Sequence, residues 1–284
     1  MALSLKHMLI DCHTHAFAEK IAPRAVQQLN EYYRLPTPFG GSLRELLAIA
    51  TDAKLDALVL LNAATRPEHV KPANDWLIQL ASSHGAQSLS EIETSGIPRI
   101  IPFGTFHIES SDWLSEIQRL RAAGIRGIKI HPEFQGMDLA DRRLNDFWAE
   151  VERDFVLMIH IGDPEKRLNN LSTPHKLAAI LDRFPKMRAI AAHMGGYTFW
   201  QEACESLIGR NVYLDTSSTF PYIEPSVLQT ILSKHSKDLI LFGSDYPLRA
   251  PQEDLPILDS IPGLTDDEKE NIRGKNAARL LGLT

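Results

Sequence analysis

The chain predicts an α/β fold built as a closed (β/α)8 barrel, and three observations carry that expectation. Eight short apolar runs alternate with amphipathic segments along 284 residues, the βα repeat of a parallel sheet that closes on itself. Several of the runs, "VLMIHI" and "LILFGS" among them, are apolar on both side-chain parities, as strands covered on both faces require. No Gly-x-Gly-x-x-Gly follows the first strand, which speaks against an open doubly wound sheet. A 44% hydrophobic composition at this length suits one large core, so residues 1–284 are read as a single domain.

The strands are expected at Met8–Cys12, Leu55–Asn62, Arg99–Thr105, Gly127–His131, Val156–Ile161, Met187–His193, Val212–Asp215 and Leu239–Gly243, each a short apolar run bounded by polar or turn residues. Helices are expected at Leu43–Ala50, Asp112–Ala123, Asn145–Arg153, Pro174–Arg183, Gln201–Ile208 and Pro225–His235. Thr173-Pro174 is a start signal and Ala123-Gly124 a stop signal. Two connections exceed what a minimal barrel needs: residues 16–42 after strand 1 and Arg66–Ile97 after strand 2. Both leave the C-terminal ends of strands, where active-site loops belong, so they are expected to be extended loops that act as lids. The closing "TDDEKENIRGKNAARLLGL" reads as two short capping helices.

Composition narrows the partners. A net charge of −6 with scattered Lys and Arg offers no basic stripe for a phosphate backbone, so the expected partner is a small molecule and not nucleic acid. Two cysteines, Cys12 and Cys204, are too few for a disulfide framework and suit a reducing compartment. The start "MALSLKHMLID" lacks the features of a signal peptide, and no apolar run is long enough to span a bilayer. A cytoplasmic location without membrane attachment is the expectation.

Polar residues interrupt the apolar pattern at one recurring place. His13 and His15 follow the first apolar run in "LIDCHTH", His160 ends "LMIH", His193 ends "IAAH", and Asp245 follows "LFGS". All five fall at the same ends of their strands, which in a parallel barrel form one rim. Neutral imidazoles with a carboxylate suit Zn²⁺ or a similar divalent ion, with a position left for water. Lys129, in "RGIKIHP", should point into the barrel because a charged ammonium against the helices is heavily penalised. It could bind substrate, become carboxylated and bridge two ions, or pair with Asp245. Asp11 shares parity with His13 and could orient a histidine, or equally cap a backbone group or form a salt bridge, whereas Cys12, of opposite parity, is expected outside the barrel.

These segments, with "GIKIHPEFQ", "MIHIGD", "AAHMGG", "YLDTS", "LFGSDYP" and "KNAARLLGL", resemble the amidohydrolase superfamily. More narrowly they resemble its amidohydrolase-related branch, which holds aminocarboxymuconate-semialdehyde decarboxylase, resorcylate decarboxylases and predicted metal-dependent hydrolases. The resemblance implies a distorted TIM barrel with a metal held by His13, His15, His160 and Asp245. It further implies that His193 acts on substrate or water in mononuclear members and binds a second ion in binuclear ones. One ion is favoured, Zn²⁺ before Mn²⁺, with a second if Lys129 is carboxylated. A homodimer is a family-level expectation.

The expected activity is hydrolysis of a small C–N or C–O bond, amide, lactone or ester-like, by metal-activated water. Asp245 would take the proton of water and return it to the leaving group, and His193 would polarise the scissile carbonyl or hold the water. The alternative is a non-oxidative decarboxylase, a lyase on the same metal shell, for which Arg66, Arg249 and His107 are the groups at hand to bind a carboxylate. A metal-binding protein without turnover is the non-enzymatic reading.

Overall fold

The computed structural model describes residues 8–84 and 96–283. Strands β1 (Ile10–His15), β2 (Ala57–Leu61) and β3 (Arg99–Pro102) pair in that order, and β4 (Gly104–Thr105), β5 (Gly127–Ile130), β6 (Val156–Ile159), β7 (Arg188–Ala191), β8 (Tyr213–Asp215) and β9 (Ile240–Leu241) pair in theirs. Every pairing is parallel. β3 and β4 are one expected strand broken at Phe103, whose N–H still donates to the Leu60 carbonyl at 2.9 Å. Across the other seam, Cys12 N–H donates to Phe242 O at 2.9 Å, Asp245 N–H to His13 O at 2.7 Å and His15 N–H to Tyr246 O at 2.7 Å. Eight strand positions thereby close into the expected barrel.

Two apolar layers follow from strand parity. Leu58, Leu60, Ile128, Ile130, Leu157 and Ile159 pack in one cluster with helix residues such as Leu77, Ile117, Leu120 and Leu177. The alternate positions, Val59, Leu61, Met158, Ile190 and Leu241, form a second cluster with Ala277, Ala278 and Leu280 from the last helix. That inner cluster fills the lower half of the barrel, and the C-terminal helix is its floor. Each fully buried Leu, Ile or Met contributes about 1.5–3 kcal/mol of transfer free energy, so both layers are dominated by apolar burial.

β1 departs from simple alternation. Asp11 pairs with Leu58 and Thr14 with Leu60, three residues of β1 spanning two of β2, which is a β-bulge. The bulge overturns two expectations that rested on parity. Cys12 is buried in the inner cluster instead of outside the barrel, and Asp11, opposite helix-facing Leu58, no longer shares a face with His13. Asp11 Oδ1 instead accepts the His13 N–H at 3.1 Å and the Ser244 N–H at 3.0 Å.

The two long connections are also more regular than expected. Residues 16–42 contain α1 (Ala22–Tyr33), whose Ala22, Val26, Leu29 and Tyr33 share one face at helical spacing. α1 opens with Pro23 in its first turn and ends at Arg34, which has a left-handed φ of 54°. α2 (Leu43–Asp52) follows, capped by Ser42, whose hydroxyl accepts the Glu45 N–H at 3.2 Å. In the second connection, Val70–His84 forms α3, with Val70 and Leu77 buried. Asn74 of α3 donates to Thr105 O at 3.2 Å and accepts from Thr105 N–H at 2.9 Å. It is therefore an ordinary crossover helix and not a lid; the rest of that expected loop, residues 85–95, lies outside the described residues.

Of the remaining helices, α4 (Trp113–Ala122), α6 (Asn145–Val151), α7 (Pro174–Arg183), α8 (Trp200–Ser206) and α9 (Pro225–Lys234) lie near their expected positions, whereas α5 (Pro132–Gln135) and α10 (Pro251–Ser260) have no counterpart among the expected helices. The C-terminal pair is α11 (Asp266–Glu270) and α12 (Asn276–Leu281), joined by a π-turn segment over Asn271–Lys275. Among the described residues no helix is long and apolar enough to cross a membrane.

Candidate metal centre and its two chambers

The polar residues of the rim are brought together by the strand ends. One ligand atom from each of His13, His15 and Asp245 lies within 4.8 Å of the others. His13 Nε2 is 3.1 Å from His15 Nε2 and 3.5 Å from Asp245 Oδ1, and His15 Nε2 is 3.7 Å from the same oxygen. Asp245 reaches this position from a residue with φ of 71°, in the left-handed region that a non-glycine residue occupies only where its surroundings hold it there. Its Oδ2 accepts the Ser218 hydroxyl at 2.5 Å. His193 has φ of 60° and is fixed by Trp200, whose indole N–H donates to the His193 carbonyl at 2.9 Å.

The hydrogen-bond network assigns the tautomers, and the assignment has a chemical consequence. His15 Nδ1 is 3.2 Å from Leu61 O, an atom that can only accept, so Nδ1 carries the proton and Nε2 a lone pair. His13 Nδ1 donates to Asp215 Oδ2 at 2.9 Å, leaving its Nε2 likewise bare. His160 Nε2 donates to Gly162 O at 3.1 Å and His193 Nδ1 to Ser217 O at 3.0 Å. Their other nitrogens, His160 Nδ1 and His193 Nε2, then face each other at 2.9 Å. The Ser217 hydroxyl leaves this assignment in place, since its proton goes to Asp215 Oδ1 in a very short contact.

Two pairs of lone pairs thus confront each other with no ring proton between them; of the four nitrogens, His13 Nε2 also has the Lys129 ammonium as a donor at 3.3 Å. Adding protons is opposed, because burial holds His13, His15 and His160 well below the ordinary histidine pKa and His193 down to about 4. Buried neutral imidazoles with facing lone pairs beside a carboxylate are the donor set of a divalent cation. The residues present therefore fit such an ion. Burial also pushes the Asp245 carboxyl up to about 8, a shift that a cation beside it would reverse.

Lys129 is fully buried and points inward, its Nζ 3.3 Å from His13 Nε2. Burial lowers its pKa to about 8 against the opposing charges of Asp245 and Asp215. His131 stacks on His160 at 3.8 Å between ring centres and on Phe134 at 3.8 Å. A further group of His131, Glu133 and His160 is close enough to share an ion, but both Glu133 oxygens already accept from the Ser172 hydroxyl at 2.7 Å.

Two cavities meet at this cluster. The larger, about 500 Å³, is walled by Phe17, Leu29, Tyr32, Tyr33 and Phe134, with His13 and His15 at its base. The smaller, about 240 Å³, includes Tyr197, Ser218, Tyr222 and Arg249. Tyr33, His160, His193, Asp245 and Leu248 line both.

The amidohydrolase family pattern matches residues 10–283, nearly the whole chain. The chain belongs to the amidohydrolase family. No curated protein matches it. Among solved structures it is similar to 5-carboxyvanillate decarboxylase of Sphingomonas paucimobilis, with 18% identity, a TM-score of 0.72, and 99% of this chain and 100% of that one covered. It is similar to a dihydroxybenzoic acid decarboxylase of Polaromonas with bound manganese and 2-nitroresorcinol, with 15% identity, a TM-score of 0.68 and coverage of 98% and 97%. It is also similar to a probable 2-pyrone-4,6-dicarboxylic acid hydrolase of Acinetobacter baumannii, with 15% identity, a TM-score of 0.67 and coverage of 96% and 99%. Both lyases and a hydrolase therefore share the fold of this amidohydrolase.

Of the residues singled out in the sequence of this amidohydrolase, His13, His15, His160, His193 and Asp245 all line the larger cavity. His160 is not part of the His13, His15 and Asp245 triangle; it approaches through His193. Lys129 lies beneath His13 and lines neither chamber. Arg66 is solvent-exposed beside Glu68, 3.9 Å away, and His107 is buried with its Nδ1 accepting the Glu109 N–H at 3.2 Å; both lie outside the chambers. Arg249 lines the smaller chamber but is bound to Asp254 at 2.7 Å.

Sequence reasoning assigned no role to Asp215, Ser217, Ser218 or Tyr33. Asp215 ends β8 on the rim, so the rule that found His160 would have found it. Ser217 and Ser218 carry no such signal. Tyr33 closes the apolar face of α1, and that periodicity was its only trace.

Proposed function

We propose that the chain is a metal-dependent hydrolase of a small amide, lactone or ester-like bond, with one divalent cation held by His13, His15, His160 and Asp245. The observation that carries this reading is the division of the cavity at His160, His193 and Asp245, which line both chambers. A bond lying over these residues has one half in each chamber, which suits a reaction with two sizeable products. Loss of carbon dioxide would leave the smaller chamber without use.

When bound, a divalent cation supplies Lewis-acid polarisation of a substrate oxygen and lowers the pKa of water bound to it. Asp245 holds Ser218 with Oδ2 and keeps Oδ1 toward the histidines, placed to take a proton from attacking water and deliver it to the leaving group. His193, held through Nδ1 by Ser217 O, turns the bare Nε2 to the junction of the chambers, where it accepts from the attacking water and orients it. Asp215 keeps His13 in the Nε2-bare tautomer. Lys129, screened from both chambers, acts as a charge beneath His13 and not as a substrate ligand; its carboxylation would create the bridge for a second ion.

The decarboxylase reading draws support from the aromatic wall of Phe17, Tyr32, Tyr33 and Phe134 and from the two decarboxylases of the same fold. Zn²⁺ suits the histidine-rich donor set, and manganese accompanies one of those relatives. The test is turnover by protein reconstituted separately with Zn²⁺ and Mn²⁺ on aryl amides, lactones and aromatic acids. Hydrolysis products are expected; carbon dioxide release without hydrolysis would transfer the assignment to the lyase. Unchanged metal content and turnover in His160→Ala would remove that ligand assignment.

A further inference from the structure

Tyr33 is the one residue of α1 that lines both chambers. Its ring stands edge-on to Tyr32 at 5.0 Å and to Phe134 and Tyr197 at 6.1 Å each. Its hydroxyl lies 3.3 Å from His131 Nε2. His131 Nδ1 accepts the Phe134 N–H at 3.4 Å, so Nε2 carries the ring proton and donates to the tyrosine oxygen. The tyrosine's own O–H proton is then unspent, and among the described residues its oxygen has no other hydrogen-bond partner. Burial, with Asp245 adding to it, raises the Tyr33 pKa well above the ordinary value, so the proton stays on the oxygen.

The charge of the walls limits what this donor can meet. Among the described residues no Lys or Arg lines the larger chamber. The guanidinium of the smaller one, Arg249, is held by Asp254 at 2.7 and 3.0 Å and lies 3.8 Å from Glu253. A carboxylate placed in either chamber away from the metal would be desolvated without a free cation to pair with it.

Resting on the hydrolase reading, we propose that Tyr33 is a substrate-binding and specificity-determining residue. Its ring divides the apolar chamber from the polar one, and its O–H donates to a substrate oxygen at their junction. The substrate class that follows has an apolar, planar body for the larger chamber, an uncharged polar group for the smaller, and no carboxylate beyond the one group directed at the metal. The dicarboxylic acid in the name of the Acinetobacter relative's substrate falls outside this class.

Calorimetric binding of hydroxamates to the full chain, metal-loaded and metal-stripped, tests this apart from turnover. Benzohydroxamate is expected to bind the loaded protein at least tenfold more tightly than acetohydroxamate, because only it fills the apolar chamber. The 4-carboxy derivative should bind at least tenfold more weakly than benzohydroxamate. Tyr33→Phe should weaken benzohydroxamate about fivefold with metal content unchanged, and Tyr33→Ala, which removes the dividing ring, should strengthen binding of a bulkier naphthyl hydroxamate relative to benzohydroxamate. Metal-dependent binding with equal affinity for all probes, or an unaltered Tyr33→Phe, would overturn the proposal while leaving the metal reading intact. Binding that ignores the metal would remove both.

Discussion

The upper and lower halves of the barrel interior are built on the same strands, and they solve opposite problems. In the lower half, Cys12, Val59, Met158, Ile190 and Leu241 pack against Ala277, Ala278 and Leu280, and each group is satisfied by its neighbours. One pleat repeat above Met158 stands His160, in a group with His13, His193 and Asp245, while Lys129, the strand partner of Met158, reaches up from beneath His13. There the neighbours conflict: bare nitrogens face one another at 3.1 and 2.9 Å. The difference teaches that the lower half stabilises the chain unaided, whereas the upper half is completed by something positive. Breaking either half should leave the other's property intact.

The largest effect is expected at the top. Asp245→Asn and His15→Ala should each lower turnover about 10³-fold, while far-ultraviolet circular dichroism stays native. A variant that keeps full turnover would show that the rim is not the reaction centre. At the bottom, Met158→Ala should cost about 3 kcal/mol in urea denaturation through the cavity it leaves. Metal content, measured by atomic absorption, should not change. Loss of metal in that variant would mean that the two halves are not separable.

A smaller effect separates ligand from ligand-holder. Asp215→Asn should weaken metal affinity about 10- to 100-fold, because the His13 Nδ1 proton loses its carboxylate partner. The depressed histidine pKa values fix the pH sense of the metal-free protein. Their stabilising contribution is complete above the unfolded value of 6.5 and is lost as pH falls, down to about 4 for His193. Metal uptake should accordingly persist at pH 6, where an ordinary histidine is mostly protonated.

Much of this was legible in the sequence because parallel strands buried on both faces leave an uninterrupted apolar signature. The strand Val156–Ile159 and the helix Pro174–Arg183 lie within or at their expected limits, the latter because Thr173 caps it and Pro174 starts it. His160, His193 and Asp245 were found because a polar residue after such a run has few other reasons to be there. The bulge in β1 was not legible, since an extra residue changes which side Cys12 and Asp11 face without altering composition. Tyr33 was missed for a different reason. It is a wall residue on a helix inside a connection that read as loop, and its partner His131 is 98 residues away.

Asp11 gives the finest test of the comparison, because it lies at the boundary of the halves and belongs to neither. Its Oδ1 ties the backbone N–H groups of His13 and Ser244 together, while its Oδ2 is buried without a hydrogen-bond partner. Burial raises its pKa from 3.8 to about 7. A carboxyl whose folded pKa is raised favours folding most below its unfolded value, and that contribution is lost as pH climbs to the folded value. Asp11→Asn keeps an acceptor for the two N–H groups and has no proton to lose. Relative to the parent, it should therefore gain stability between pH 4 and pH 7 and then level off, by up to roughly 4 kcal/mol. Titrations of the histidines occur in both proteins and largely cancel in the difference, and the Asp11 charge is the smallest of the causes that shift Asp245. Parallel stability curves across that range would show that the bulge carboxylate is already settled within the fold, and the unsatisfied chemistry would then be confined to the rim above it.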